Sequence, residues 1–139
     1  MSKRVFVDTS AWVALLNKSD QYFQDAIKVY SDLAEVRLFV SNFVIGETYT
    51  WLRYKVSYEI AFSFLTATHK KVELSQAEII YADTSLEQSA LNLLERYKDQ
   101  RMSFTDALSF SIMNKLKIND VFSYDRHFLI AGFNLINKI

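Results

Sequence analysis

The sequence contains no cysteine and no proline, and it has only two glycines and two histidines in 139 residues. Without cysteine there can be no disulfide framework, no thiolate metal site and no cysteine nucleophile. Any metal must therefore be bound by carboxylate or imidazole groups, and the two imidazoles are those of His69 and His127. The formal net charge is zero, because sixteen Lys and Arg balance sixteen Asp and Glu. A neutral chain has no long-range attraction for nucleic acid, so the total charge alone disfavours a nucleic-acid-binding protein.

Long hydrophobic runs are also missing. The basic start is followed by three apolar residues, and Asp8 then ends the run. A signal peptide needs ~7–15 apolar residues there, and a membrane span needs ~18. We therefore expect a cytoplasmic protein without a membrane segment. The hydrophobic share of 50% argues against a disordered chain, and the length predicts a single domain over residues 1–139.

Short apolar runs alternate with segments of helical spacing. The runs predict strands at 5–7, 38–40, 78–82 and 121–123, with 133–136 as a candidate fifth. The helical spacing predicts helices at 11–16, from Asp20 to about 33, at 42–54, at 58–68, from Thr84 to about 97 and at 103–116. Residues 70–76 show no clear pattern. Strands that alternate with helices predict an α/β layer fold with a mostly parallel sheet.

Two acids directly follow predicted strands. Asp8 comes after the first strand, and Asp125 follows the strand at 121–123 by one residue. Ligands of open α/β sheets bind beyond the carboxyl ends of the strands, so both acids stand where chemistry is usually done. Ordinary capping or turn roles are the alternatives. Arg126 and His127 could orient Asp125 or could simply face solvent.

Two further acids lie on apolar helix faces. Glu47 shares a face with Phe43 and Trp51, and Asp106 shares one with Phe110 and Met113. A carboxylate is costly to bury unless it is paired, hydrogen-bonded or bound to a metal. The alternatives are that Glu47 reaches water at the edge of its stripe, and that Asp106 completes a capping box that Ser103 begins in the segment SFTD.

The four acids carry more information together than separately. Four carboxylates packed at one end of a sheet repel one another strongly, and a cation would neutralise them. Oxygen ligands without cysteine favour Mg²⁺ or Mn²⁺ over zinc. Such ions suit phosphodiester hydrolysis, because they polarise the phosphate and lower the pKa of the attacking water.

The acids stand in sequence blocks that resemble those of the PIN-domain nucleases, and most of all the VapC-type toxins of toxin–antitoxin pairs. The blocks are VDTS at 7–10, SNFVIGE at 41–47, SFTDA at 103–107 and SYDRHF at 123–128. They occur in the family order and with family-like spacing over nearly the whole chain.

The resemblance implies a three-layer α/β/α fold with a short, mostly parallel central sheet, and an endoribonuclease that depends on Mg²⁺ or Mn²⁺. It implies an RNA substrate, an antitoxin protein as partner, and a homodimer. The acids that it implies as catalytic and metal-binding are Asp8, Glu47, Asp106 and Asp125. Ser10 and Ser123 would support them. Many relatives carry a histidine near Phe23 and a threonine at position 123, which this chain lacks.

Two other functions remain open at the level of sequence. A phosphohydrolase with an aspartyl nucleophile could use Asp8, although its usual pattern has a second aspartate where this chain has Ser10. A non-catalytic PIN-like module could bind RNA or protein and use its acids only as caps. The aromatic residues of one helical region could form an interface or pack internally; they are Tyr49, Trp51, Tyr54 and Tyr58.

The zero net charge is compatible with RNA if the site is set apart from the surface. Removing four pooled acids leaves sixteen basic against twelve acidic residues, a net of about +4. The total charge is uninformative because it averages an acidic site with a mildly basic surface.

Overall fold

The structure is a computed structural model, and it describes residues 4–139. Within this range five parallel strands form one sheet in the order β3-β2-β1-β4-β5. The strands are β1 (Arg4–Val7), β2 (Arg37–Ser41), β3 (Ala77–Ile80), β4 (Asp120–Phe122) and β5 (Asn134–Leu135). The predicted parallel sheet is therefore confirmed.

Helices flank the sheet and complete the predicted α/β/α fold. They are α1 (Thr9–Leu16), α2 (Phe23–Ser31), α3 (Asn42–Lys55), α4 (Tyr58–Glu73), α5 (Thr84–Arg96), α6 (Phe104–Leu116) and α7 (His127–Ile130). None of the helices in the described range is long and apolar enough to cross a membrane.

The most deeply buried elements are β1 and α6. The three apolar residues of β1 are at most 1% exposed, because both faces of this central strand are covered. In α6 every residue from 105 to 113 is buried. A helix that is covered on all sides lies in the interior, so Asp106 near its start is carried into the core of the protein.

Adjacent strands bring two chain segments to the same edge of the sheet. Val7 of β1 pairs with Phe122 of β4, and the amide of Asp8 donates to the carbonyl of Phe122 at 3.1 Å. Because both strands run in the same direction, Asp8 and Ser123 follow them at the same carboxyl edge. This pairing places residues 115 positions apart in one site.

Four local details differ from the sequence prediction. Asp20 does not cap α2; its carboxylate accepts from the amide of Tyr22 at 2.8 Å, in a turn that precedes the helix. The cap of α5 is Asp83 and not Thr84. β3 begins one residue early and ends at Ile80, where its pairing with Ser41 of β2 ends. α4 continues into residues 70–76, for which the sequence shows no clear pattern, and ends at Glu73.

Candidate metal centre

Asp8 is held by two serines at the carboxyl edge of β1. It is 3% exposed, and its Oδ2 accepts from Ser10 Oγ at 2.8 Å and from Ser123 Oγ at 2.9 Å. The amide of Ser10 also donates to Oδ2, at 3.4 Å, which makes Asp8 the N-cap of α1. The two alternatives considered for Asp8 therefore both hold: it caps a helix, and it stands at a strand end beside other acids.

Ser123 connects the segments around Asp8. Its hydroxyl donates to Asp8, accepts from the amide of Asp125 at 3.0 Å, and lies 3.1 Å from Ser10 Oγ. Asn137 holds the backbone of Ser123 on both sides, through bonds of 3.0 Å to its amide and 2.7 Å to its carbonyl. Nothing in the sequence marks Asn137, because it reaches Ser123 across fourteen residues.

Asp106 is fixed by the predicted capping box. The amide of Ser103 donates to Asp106 Oδ2 at 3.1 Å, and the amide of Asp106 donates to Ser103 Oγ at 3.0 Å. Asp106 is 9% exposed, because it lies in the buried stretch of α6 from 105 to 113. As with Asp8, the capping role coexists with a place in the acidic cluster.

Asp125 and His127 complete the cluster. The amide of His127 donates to Asp125 Oδ1 at 2.9 Å, and His127 Nδ1 lies 2.9 Å from the same oxygen. His127 Nδ1 also lies 3.7 Å from Asp106 Oδ2. Asp106, Asp125 and His127 each offer a ligand atom, and these atoms lie within 4.8 Å of one another. Of the two residues whose roles were open, His127 thus faces the acids, whereas Arg126 is exposed.

Burial and mutual repulsion raise the pKa values of two acids. Burial is the main cause that raises the pKa of Asp8 to about 7; the charges of Asp106 and then Asp125 add to it, and the serine hydroxyls oppose it. The pKa of Asp106 rises to about 6, chiefly through burial and then through the charge of Asp125. Full ionisation of this cluster is therefore unfavourable unless a cation is present.

In each of the three aspartates, one carboxylate oxygen accepts the hydrogen bonds from the rest of the protein. The hydrogen bonds and close contacts go to Oδ2 of Asp8, Oδ2 of Asp106 and Oδ1 of Asp125. The second oxygen of each has no donor among residues 4–139. Carboxylate oxygens without a protein donor are the ligands that a hard divalent ion prefers. The ligand atoms within 4.8 Å of one another belong to Asp106, Asp125 and His127, and Asp8 lies near enough for the charges of both aspartates to act on it.

Glu47 lies in the same cavity but in a different setting. The cavity has a volume of about 490 Å³ and is lined by Asp8, Glu47, Asp106 and Asp125 among others. Glu47 is exposed on α3, so it stands at the edge of its apolar stripe and is not buried within it. The structure therefore brings all four predicted acids to one cavity, three of them shielded and one facing solvent.

A pair of tyrosines forms another wall of this cavity. The rings of Tyr22 and Tyr124 stack with centroids 4.3 Å apart and an angle of 9°. Tyr124 Oη donates to Asp25 Oδ2 at 2.6 Å, and burial together with this carboxylate raises the pKa of the phenol. The sequence does not reveal this pair, since its members are about a hundred positions apart and carry no local motif.

The sequence pattern of the PIN domain matches residues 5–134. The chain belongs to the PIN domain family. The chain is 34% identical over 129 residues to the 23S rRNA-specific endonuclease VapC20 of Mycobacterium tuberculosis. This alignment covers 93% of this chain and 95% of that protein. It is 32% identical over 126 residues to a VapC ribonuclease of Archaeoglobus fulgidus, with 88% of this chain and 77% of that protein covered.

Solved structures share the fold of this chain. The crystal structure of VapC20, described as a sarcin–ricin loop cleaving toxin, matches with a TM-score of 0.85 and 30% identity, over 96% of this chain and 99% of that one. The VapBC2 complex of Rickettsia felis shares the fold, with a TM-score of 0.67 and 18% identity over 95% and 96% of the chains. The predicted membership of the PIN domain family, with a likeness to VapC toxins, is confirmed.

Proposed function

We propose that this PIN domain protein is an endoribonuclease that hydrolyses RNA phosphodiester bonds with Mg²⁺ or Mn²⁺, and that it is the toxin of a toxin–antitoxin pair. The observation that carries the proposal is the cluster of three shielded aspartates at the carboxyl edge of the sheet. Its relatives at 34% and 32% identity are named as RNA-cleaving enzymes, which supports the same activity.

Asp106 and Asp125, whose ligand atoms lie within 4.8 Å of one another and of a ring nitrogen of His127, would hold the ion, and Asp8 beside them would complete the set of aspartates. A bound divalent ion would supply polarisation of the phosphate and a lower pKa for the attacking water. The serines Ser10 and Ser123 orient Asp8, so that one carboxylate oxygen stays directed away from its protein donors.

Glu47 has the position for a different task. It lines the cavity from α3 and is the exposed member of the four acids. A solvent-facing carboxylate beside the aspartates can accept a proton from water that enters the cavity. We therefore assign Glu47 to proton transfer and substrate positioning, and the three aspartates to metal binding.

The remaining parts of the proposal concern partners. We propose an RNA substrate of the kind cleaved by VapC20, an antitoxin protein that restrains the enzyme, and action in the cytoplasm, where ribosomal RNA is found. We also propose a homodimer. Light scattering should then give twice the 16.2 kDa mass of one chain, and a monomer at micromolar concentration would refute this part.

A non-catalytic PIN module is the second candidate, because Asp8 and Asp106 both cap helices. Metal titration separates the two functions. An enzyme should bind Mn²⁺ in calorimetry and lose that binding when Asp8 is replaced by alanine. A scaffold whose acids serve only as caps should show no such binding.

Cleavage of a sarcin–ricin loop oligonucleotide with Mn²⁺ tests the activity. Asp106→Asn should lower the cleavage rate by at least ~100-fold, because it removes a charged ligand. The amide oxygen of asparagine can still accept from Ser103, so the cap is kept.

Asp83→Asn is the matched control. Asp83 caps α5 by accepting from Leu86 at 2.9 Å, away from the acidic cavity. This variant undergoes the same chemical change at the same kind of position and should keep wild-type activity. Equal activity in the wild type and Asp106→Asn, or cleavage in the presence of EDTA, would rule out the proposed enzyme.

A further inference from the structure

A second cavity adjoins the acidic one along α3. It has a volume of about 640 Å³, and its walls are mainly apolar. Phe43, Gly46 and Trp51 line it, together with the more polar Asn42, Thr50 and Thr105. Glu47 and Trp51 line both cavities, so the groove opens directly onto the acids. We name it the α3 groove.

Gly46 lines this groove at a helix position that does not require glycine. Glycine in a helix interior destabilises the helix relative to alanine, so its presence needs a reason. The other glycine of the chain, Gly132, has a φ of 95° and requires the residue. Gly46 lies within α3, and apart from its chain neighbours and the nearby backbone of its own helix, a Cβ built on it would meet no atom of the described residues within 4 Å. Neither backbone conformation nor crowding explains Gly46, whereas a ligand that approaches the helix backbone would.

Aromatic side chains stand on either side of the gap that Gly46 leaves. Phe43 precedes it by three residues and Trp51 follows it by five, and both rings are half-buried. Phe104 of α6 packs against Phe43 with ring centroids 5.7 Å apart, which supports this wall from behind. The groove therefore offers flat aromatic surfaces above an open stretch of helix.

We propose that the α3 groove binds a nucleobase of the RNA substrate, from a nucleotide adjoining the cleaved phosphate. This inference rests on the proposed ribonuclease function. A base is joined to its phosphate through one ribose, and the two cavities are likewise joined through Glu47 and Trp51. Unpaired RNA bases are recognised by stacking on aromatic side chains and by hydrogen bonds to their edges.

Polar groups at the rim can supply those hydrogen bonds. Asn42 Oδ1 accepts from the amide of Ala82 at 3.2 Å, which fixes the side chain and leaves its amide hydrogens as donors. The exposed hydroxyl of Thr50 can donate or accept. The groove thus fits a planar, partly polar ligand better than a purely aliphatic one.

The test fills the groove without touching an acid. Gly46→Leu should raise the KM for a sarcin–ricin loop oligonucleotide about tenfold or more, since the loss of one base stack has an effect of this order. Its binding of Mn²⁺ in calorimetry should match that of the wild type, because the acids are unchanged. Gln88→Leu, which places the same leucine side chain at an exposed position of α5 outside both cavities, should leave KM unchanged.

Removal of single bases identifies the occupant. After the wild type has located the cleavage position, oligonucleotides that lack one base on either side of it are compared. One of these abasic substrates should raise the wild-type KM by a factor similar to that of Gly46→Leu. It should have little further effect on Gly46→Leu, because base and groove act as a pair.

Folding controls keep the result interpretable. Gly46→Ala should raise Tm by about 2–4 °C, since alanine is the better helix former and its Cβ meets no neighbour. If Gly46→Leu fails to fold, the pair Trp51→Ala and Trp51→Phe replaces it. Trp51→Ala should raise KM, and Trp51→Phe should restore most of the wild-type value, because phenylalanine can still stack.

Three outcomes would overturn the proposal while leaving the ribonuclease function standing. Gly46→Leu could keep the wild-type KM, or the abasic effect could add fully to that of the variant. Gly46→Leu could also cleave RNA normally and escape its antitoxin, which would assign the groove to a protein segment. A wild type that cleaves no RNA would instead refute the proposed function on which the inference rests.

Discussion

At the scale of single residues, Ser123 has the most connections around the acids. It donates to Asp8, accepts from the amide of Asp125 and is itself anchored by Asn137. Its hydroxyl is one of the two that oppose the rise in the pKa of Asp8. The predicted supporting residue therefore contacts two acids through one oxygen atom. A change at Ser123 should affect metal binding without removing any ligand.

Ser123→Ala should weaken Mn²⁺ binding by roughly 10–100-fold, the usual cost of losing a group that orients a metal ligand. The pKa of Asp8 should rise further, because the hydroxyl that stabilises its ionised form is gone. Calorimetry from pH 6 to pH 8 measures both effects. The loss of affinity should be largest at the acidic end, where Asp8 is most often protonated.

Ser111→Ala is the matched control for this change. Ser111 is also buried in the protein, and its hydroxyl donates to the carbonyl of Leu86 at 2.9 Å, away from the acids. Both variants should lose stability, yet only Ser123→Ala should lose Mn²⁺ affinity. Equal Mn²⁺ affinity in the two variants would show that Ser123 is merely a packed core residue.

At the scale of elements, α6 is defined at both ends by specific caps. Ser103 and Asp106 form the capping box at its start. At its end Lys117 has a φ of 57° and a ψ of 43°, the left-handed conformation that usually belongs to glycine. Arg4 donates to the carbonyls of Leu116 and Lys117, at 3.0 and 3.1 Å, and so ties this end of the helix to β1.

Lys117→Gly should stabilise the protein by about 0.5–1 kcal/mol, because glycine adopts the left-handed conformation without the steric cost that a Cβ brings. Lys115→Gly, two residues earlier within the last helical turn, should destabilise it by about 1 kcal/mol. Urea unfolding of both variants measures the difference. Shifts of the same sign would contradict the assigned end of α6.

Local patterns predicted most elements, and they failed where tertiary contacts decide. The capping box of α6 was predicted because its signal lies within four residues. The prediction that Asp20 caps α2 is wrong, because aspartate accepts backbone hydrogen bonds in turns as well as in helix caps. Here Asp20 accepts from the amide of Tyr22, in a turn before the helix. The last residue of β3 depends on its pairing with β2, which the sequence does not display.

The same contrast between local patterns and tertiary contacts applies to the residues of the candidate site. Asp8, Asp106 and Asp125 could be predicted as candidate site residues because a strand end or an apolar face makes an acid conspicuous. The burial of Glu47 could not be judged, since a stripe of aromatic residues does not show which neighbours will cover it. Asn137 and the Tyr22–Tyr124 stack were missed because each acts across a long separation in sequence.

At the scale of the whole molecule, the placement of charge matters more than its total. The chain is neutral, with sixteen basic and sixteen acidic residues. Asp8 and Asp106 are buried in the structure, and Asp125 is partly covered beside them. The rest of the molecule is therefore mildly basic around an acidic cavity. Such a distribution suits an RNA substrate outside and a divalent cation within.

The same arrangement links global stability to pH. Both Asp8 and Asp106 have pKa values raised from 3.8, to about 7 and about 6, so the folded protein favours their protonated forms. This stabilising contribution is complete below about pH 4 and is lost as the pH rises through 6 and 7. The metal-free protein should accordingly lose stability over this range, and Tm should fall by roughly 5–15 °C.

Thermal unfolding in EDTA and in Mn²⁺, from pH 4.5 to pH 8, tests this linkage. Mn²⁺ should raise Tm little at pH 4.5, where protons occupy the acids, and most at pH 8, where the ion replaces them. Asp8→Asn should flatten the curve in EDTA, because its amide cannot ionise, and should abolish most of the gain from Mn²⁺. A wild-type Tm in EDTA that is constant from pH 5 to pH 8 would mean that the acids are not coupled to folding as the structure requires.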